Sequence, residues 1–358
     1  MERVIVFCAR DWLHPKAGPV EHYMYEVFSR IARWGHYVLF VSHTHQIVRL
    51  QRRCSAEMEV VDGIQIARLG PRALFRMMSG MLLDRIHTTS NTVTAFDAVI
   101  ECVTHRPMML AKHTDTTVVP LVFDLSPRLR ASEDPPGPLI AASETARQKL
   151  TRAGFPDGFL VRAPYGADCS SRPSPGTRAA IPTLAVFGSV PRTLRAALAH
   201  LNKEGVCIDV DVIGAGEPGR SRSRMTYHGP LSVPERTGIY QRAWFGFCGA
   251  GQEHEALEMG ARSLPVICSD MAGAREYVEH DRTGFVLPDR GAARRLAEDL
   301  RGLAQDEALR RRLGTQGRLR AEGQSWNRTA GLILATIENL PKPQQPSASR
   351  SDACLVRK

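Results

Sequence analysis

No apolar run in this chain approaches the ~18 residues that a membrane-spanning helix needs. The opening residues, Met1-Glu2-Arg3-Val4-Ile5-Val6-Phe7, hold too short an apolar run for a secretory leader and read as a first strand. A cytoplasmic location is therefore expected. The eight cysteines form no C-x-x-C pair, and several stand in apolar runs. That is cysteine used as a small hydrophobe, not as a disulfide frame or a zinc site. Aromatic residues are scarce, at 6%, and no aromatic platform is interleaved with the basic residues that give a formal charge of +10. Dispersed charge without such a platform argues against nucleic acid. An anionic small ligand, such as a nucleotide diphosphate, or a weak contact with anionic membrane accounts for the excess as well. A dinucleotide fingerprint is also missing, because Gly214-Ala215-Gly216 lacks a following G-x-x-G.

What is present is a repeated β/α grammar. A length of 358 residues suits two domains of roughly 150 each. Arg3 to Cys8 reads as a buried parallel strand, Val20 to Trp34 as a helix with Tyr23, Val27, Ile31 and Ala32 on one face, and Tyr37 to Ser42 as a second strand. A hairpin is expected around Asp62-Gly63. Helical spacing over Arg72 to Thr94 and strands at 97–101, 117–123 and 139–143 continue the series, followed by a helix from Glu144 to Ala153. Ser170 to Ile181 has linker composition. The same grammar restarts with a strand at Thr183–Gly188, a helix at Arg195–Leu201 and a strand at Cys207–Ile213, and continues with a helix from Pro234. Residues 294–322 are charged and helical, and a last helix runs to Leu340. The expected organisation is therefore α/β. Residues 1–170 form one Rossmann-like doubly wound domain, 171–182 a linker and 183–324 a second such domain. Residues 325–341 are a helix crossing back to the first domain, and 342–358 a Pro/Ser-rich disordered tail.

The densest signal lies between Ala250 and Pro288, AGQEHEALEMGARSLPVICSDMAGAREYVEHDRTGFVLP. A small-residue loop leads into a short helix with Glu258, a buried strand through Pro265-Val266-Ile267-Cys268, and a second loop and helix through Gly273 and Glu276. This resembles the donor half of retaining GT-B glycosyltransferases of the group 4 type (glycosyltransferase family 4, group 1), where the pattern runs E-G-F-G-x-P-x-L-E-A-M-A-x-G-x-P-V-I-x-S-D. The matching residues are Ala256-Leu257-Glu258-Met259-Gly260-Ala261 and Leu264-Pro265-Val266-Ile267-Cys268-Ser269-Asp270. Gly284–Pro288, Pro164-Tyr165-Gly166-Ala167-Asp168 (similar to Y-N-G-V-D) and Gln324-Ser325-Trp326 (similar to F-S-W) extend the resemblance over residues 1 to about 340. It implies a GT-B fold, two facing Rossmann-like domains with a cleft between them.

The resemblance also implies site roles. Glu258 would hold the ribose hydroxyls of a nucleotide. The family's other Glu falls at Ala250, so Glu253 or Glu255 is left to stand in, and the backbone of Gly251, Gln252, Glu253 and His254, running into Ala256 and Leu257, to contact sugar or phosphate. The family's Arg and Lys after the first strand of the second domain are missing beyond Gly188, where Ser189 replaces the Arg. Arg192 or Arg195 remains to offset leaving-group charge. In the first domain Lys16-Ala17-Gly18-Pro19-Val20-Glu21 resembles a G-G-x-E loop with Gly18 kept. Asp11 and His14 beside Trp12 are candidates for the acceptor side. Phe123-Asp124 stands where many relatives carry a His, which makes Asp124 a polar substitute.

The implied reaction moves a sugar from a nucleotide diphosphate-sugar, the donor substrate, to a small-molecule acceptor. It proceeds with retention, without a metal and without a further cofactor, and the implied setting is bacterial secondary-metabolite or small-thiol biosynthesis. Nucleic acid is not expected as a partner; a homodimer stays open. The alternative is a degenerate GT-B scaffold that binds a nucleotide or a protein without turnover.

Overall fold

The computed structural model describes residues 1–14, 17–44, 57–89, 96–104, 107–124, 137–170, 178–214, 221–222, 224–249, 254–269, 273–288 and 292–341. The chain divides into two compact units. The first comprises Met1–Ala142, Ala146–Ala163 and the chain from Ala330; the second comprises Ser143–Thr145 and Pro164–Thr329. The division falls after Ala163 and again inside the last helix.

Unit 1 runs β1 (Arg3–Phe7), α1 (Pro19–Arg33), β2 (Tyr37–Ser42), β3 (Glu57–Val61), β4 (Ile64–Arg68), α2 (Phe75–Thr89), β5 (Ala98–Val103), β6 (Val118–Val122), β7 (Leu139–Ala141), α3 (Glu144–Arg152) and β8 (Leu160–Arg162). Its sheet has the order β3-β4-β2-β1-β5-β6-β7-β8, and only β3 is antiparallel to its neighbour. β1 sits centrally, which is why Val4, Ile5, Val6 and Phe7 are all fully buried with no alternation. α1 starts where Pro19 fixes φ and the Glu21 carboxylate accepts the Gly18 N–H at 2.7 Å; it ends before Gly35, at φ +92°. Tyr23, Val27 and Ile31 form its fully buried stripe. The hairpin turn at Asp62 (φ +49°) and Gly63 (φ +82°) has the left-handed backbone that a two-residue connection demands.

Unit 2 runs β9 (Thr183–Phe187), α4 (Arg192–Lys203), β10 (Asp209–Ile213), β11 (Ser221–Arg222), β12 (Met225–Gly229), α5 (Val233–Arg242), β13 (Phe245–Cys248), α6 (Glu255–Gly260), β14 (Val266–Ser269), α7 (Ala274–Tyr277), β15 (Gly284–Leu287), α8 (Ala292–Gln305), α9 (Glu307–Gly323) and the start of α10 (Trp326–Glu338). The sheet order is β11-β12-β10-β9-β13-β14-β15, parallel apart from the short β11. The chain lays β10 on one side of β9 and later β13 on the other. The point where direction switches therefore lies between β9 and β13, where open α/β sheets bind ligands beyond the strands' carboxyl ends. A core of Leu184, Val186, Val212, Phe245, Phe247 and Ile267 with Leu296 and Leu300 holds α4 and α8 on one face. The charged stretch 294–322 is two helices and not one, because Asp306 stops α8 and caps α9 through Oδ1, which accepts the Leu309 N–H at 2.9 Å.

Candidate functional site

α6 is short and almost wholly buried, and it places Glu258 one turn from its start. The Glu258 side chain is anchored on one oxygen. Oε1 accepts the Trp326 indole N–H at 3.3 Å and the Asp168 backbone N–H at 3.2 Å. Oε2 has no hydrogen-bond partner among the described residues. The two donors come from segments far apart in sequence that lie side by side. Ala167 and Ser325 form a parallel bridge, the Gln324 amide donates to Tyr165 O at 2.9 Å, and Ala167 N–H to Gln324 O at 3.0 Å. Gly166 is needed there, since a Cβ would stand 2.4 Å from Trp326 N. Arg262 Nη1 donates to Asp168 O at 2.6 Å and Arg318 Nη2 to Cys169 O at 2.7 Å, which fixes this segment. Three landmarks of the sequence, around Glu258, Tyr165–Asp168 and Ser325-Trp326, thus meet at one carboxylate.

Burial, and then the neighbouring Glu255, push the Glu258 carboxyl up to about 7; Arg236, Arg262 and the Asp168 amide hold it back. Glu255 is 2% exposed and fully engaged. Arg236 Nη1 donates to its Oε1 at 2.8 Å and Tyr240 Oη to its Oε2 at 3.0 Å. Each Glu255 oxygen thus already accepts one hydrogen bond, and the carboxylate is held against the helix that carries Arg236 and Tyr240. The Arg236 guanidinium also lies over the Phe187 ring, 5.7 Å from its centroid, at the carboxyl end of β9. Sequence reasoning missed Arg236. Its segment is an ordinary amphipathic helix, and only the fold brings it to Glu255.

His254 stacks on Tyr165 with ring centroids 4.7 Å apart, and its burial lowers its pKa. Ala256 and Leu257 are packed into the interior. Ala250, Gly251, Gln252 and Glu253 lie outside the described residues, as do Lys16 and Asp270. Gly188 has φ +89°, and its N–H is already given to Ile213 O at 2.9 Å. It shapes the turn off β9 but offers no amide to a phosphate. Arg192 and Arg195 stand exposed in the first turn of α4, just beyond that turn, and their side chains form no hydrogen bond or ion pair among the described residues.

The Gly18 N–H is taken by Glu21, whose carboxylate also pairs with Arg10 at 2.9 Å. Asp124 is ion-paired with Lys149 of α3. Asp11 is fully buried, accepting from Ser42 Oγ at 2.6 Å, Arg68 Nε at 2.9 Å and the Leu13 N–H at 3.0 Å, so it ties β2 to β4 and presents no surface. Trp12 packs on Tyr25 and Phe40, and His14 faces His43. Among the described residues no three His, Cys, Asp or Glu side chains are grouped to hold a metal ion.

Residues 249–320 match the family model described as Glycosyl transferases group 1. A segment of 113 residues is 32% identical to the D-inositol 3-phosphate glycosyltransferase of Arthrobacter sp. (strain FB24), covering 31% of this chain and 27% of that one. The chain thus aligns with only about a quarter of that relative's length. Over the whole fold it is similar to sucrose-phosphate synthase from Thermosynechococcus elongatus, with a TM-score of 0.70 and 16% identity over 94% of this chain and 98% of that one. It is also similar to Anabaena HepE solved with UDP-glucose, with a TM-score of 0.67 and 13% identity over 95% and 100%. The architecture is therefore mixed α/β with two parallel-sheet Rossmann-like domains, the fold of GT-B glycosyltransferases, and the group 1 match falls on the half that carries Glu258.

Proposed function

We propose that this protein is a glycosyltransferase that moves a sugar from a nucleotide diphosphate-sugar to a small-molecule acceptor, with retention and without a metal. The observation that carries the reading is Glu258. It is a buried carboxylate beside the switch point of a parallel sheet, with one oxygen anchored and the other left open. A pair of vicinal ribose hydroxyls supplies the two donors that such a carboxylate lacks, which offsets its desolvation. The exposed guanidinium of Arg192 or Arg195, at the start of α4 beyond β9, then offsets the charge that builds on the departing diphosphate. An oxygen of that phosphate takes the acceptor's proton as the acceptor attacks from the same face, so the step asks for no protein base. That HepE was solved with UDP-glucose supports a nucleotide-sugar donor. The degenerate scaffold is disfavoured by the retention of Glu258 and its whole supporting shell.

The test is a thermal-shift panel of UDP, GDP, ADP and dTDP on the protein and on Glu258→Ala. A nucleotide at 100 times its Kd stabilises by about 2.7 kcal/mol. One nucleotide is expected to raise the melting temperature of the parent and not of the variant. No response to any of the four overturns the donor-site reading.

A further inference from the structure

Unit 1 carries an apolar surface that its described elements leave exposed. Met58, Val60, Leu74, Met77, Met81 and Met109 are half of the large hydrophobic side chains exposed among the described residues, and their exposures run from 44% (Met109) to 69% (Val60). They share one side of the unit. In the sheet, Met58 pairs with Ala67 and Val60 with Gln65, which in turn pair with Val41 and Leu39. Leu39 and Val41 pack in the cluster that contains Phe75, Met78, Leu82 and Leu83 of α2. Paired residues point to the same face. Met58 and Val60 therefore stand on the sheet face that α2 covers, while Glu59 between them pairs with Arg68 on the other. On α2, Met77 and Met81 are one turn apart on the face opposite the buried Phe75 and Leu83. The turn with Met109 is held alongside, because Arg76 Nε donates to Met108 O at 3.1 Å and Gly80 leaves room for the His113 ring, which a Cβ would meet at 2.8 Å.

The charge around this surface selects its partner. Arg72, Arg76, Arg85 and Lys112 are exposed on or beside the same elements. Of the acids there, Asp84 is bonded to His113 at 3.2 Å, and Asp115 lies at the margin. Methionines ringed by arginines suit an interface that is apolar below and anionic above, as at the headgroup level of an anionic bilayer. A second copy is a poorer match, since a two-fold contact would set these arginines against themselves.

We propose that the α2 side of unit 1 docks on an anionic membrane surface, with the methionines seated at the boundary between headgroups and acyl chains and the arginines on the headgroup phosphates. A bilayer so engaged brings the protein to acceptors that partition into it. The docking itself does not depend on the donor-site reading, so either can fail alone.

The test is co-sedimentation of the full chain with vesicles of phosphatidylcholine alone and of phosphatidylcholine mixed with phosphatidylglycerol. Binding is expected only to the anionic vesicles and is weakened by salt. Arg72→Gln with Lys112→Gln should lower the partition coefficient by about 10-fold or more, from roughly 1 kcal/mol per basic residue at the surface. Met77→Ser with Met81→Ser should lower it as well, and both pairs should keep the parent's melting temperature. Arg294→Gln with Arg311→Gln, exposed in unit 2, should leave it unchanged. Equal binding to both vesicle types, or an equal loss in the unit 2 pair, overturns the proposal. So does a dimer that Met77→Ser with Met81→Ser converts to monomer.

Discussion

Glu258 is under opposing demands. Its neighbours hold it in place, yet its burial beside Glu255 makes its charge costly, and the carboxyl rises from an ordinary value of 4.5 to about 7. A carboxyl raised on folding contributes stability that is complete below its unfolded value and is lost as pH climbs through the folded one. Between these values and above, the ionised side chain subtracts from the stability of the ligand-free protein. Glu258→Gln keeps the acceptor oxygen for Trp326 and Asp168 and removes the charge. The variant is expected to be more stable than the parent by about 1–3 kcal/mol at pH 8 and equal to it near pH 4. Denaturant unfolding of the two proteins at both pH values checks this; a gap that does not change with pH rules out the electrostatic cause. The same variant should lose the nucleotide's stabilisation, since an amide is a poorer acceptor for two hydroxyls. Stability and function then oppose one another at a single side chain.

The helices of unit 2 are set by close approaches of backbone. α6 and α9 pass so near that a Cβ on Gly260 would stand 2.9 Å from Gly317 O, and one on Gly314 would stand 2.2 Å from Ser263 O. Gly302 of α8 is different, with Leu309 Cδ2 at an ordinary 3.6 Å. Gly314→Ala should therefore cost about 1–3 kcal/mol through overpacking, whereas Gly302→Ala should be neutral or gain up to about 1 kcal/mol from helix propensity. Urea midpoints of the two variants distinguish packing from propensity, and a stable Gly314→Ala would contradict the close approach. These elements were legible in outline. The strand and helix order, the Asp62-Gly63 turn and the end of α3 just before Gly154, which has φ +98°, follow from local chemistry. Boundaries were less so. α4 begins at Arg192 and not Arg195, because Pro191 takes the cap position and its fixed φ lets the helix start at once.

The whole molecule consists of two units, each with its own sheet and buried core. Two cores of this kind unfold as separate cooperative blocks, and a ligand stabilises only the block that binds it. Calorimetry is expected to resolve two transitions, of which the nucleotide raises one, assigned to unit 2 by its loss in Glu258→Ala. A single transition that shifts as one would show that the units melt together.

By itself the sequence determined the class of fold, the repeat of β/α units and the stretch around Glu258. Each of these rests on short-range information: apolar periodicity, turn residues, and a motif contiguous in the chain. The tertiary structure alone decided which oxygens are free. It set Arg236 and Tyr240 of another helix on the oxygens of Glu255, spent the amides of Gly18 and Gly188 on neighbouring acceptors, buried Asp11, and left Met77 and Met81 exposed beside arginines. A hydrogen bond or an exposed face depends on which distant segments pack together, and no local pattern in the chain encodes that.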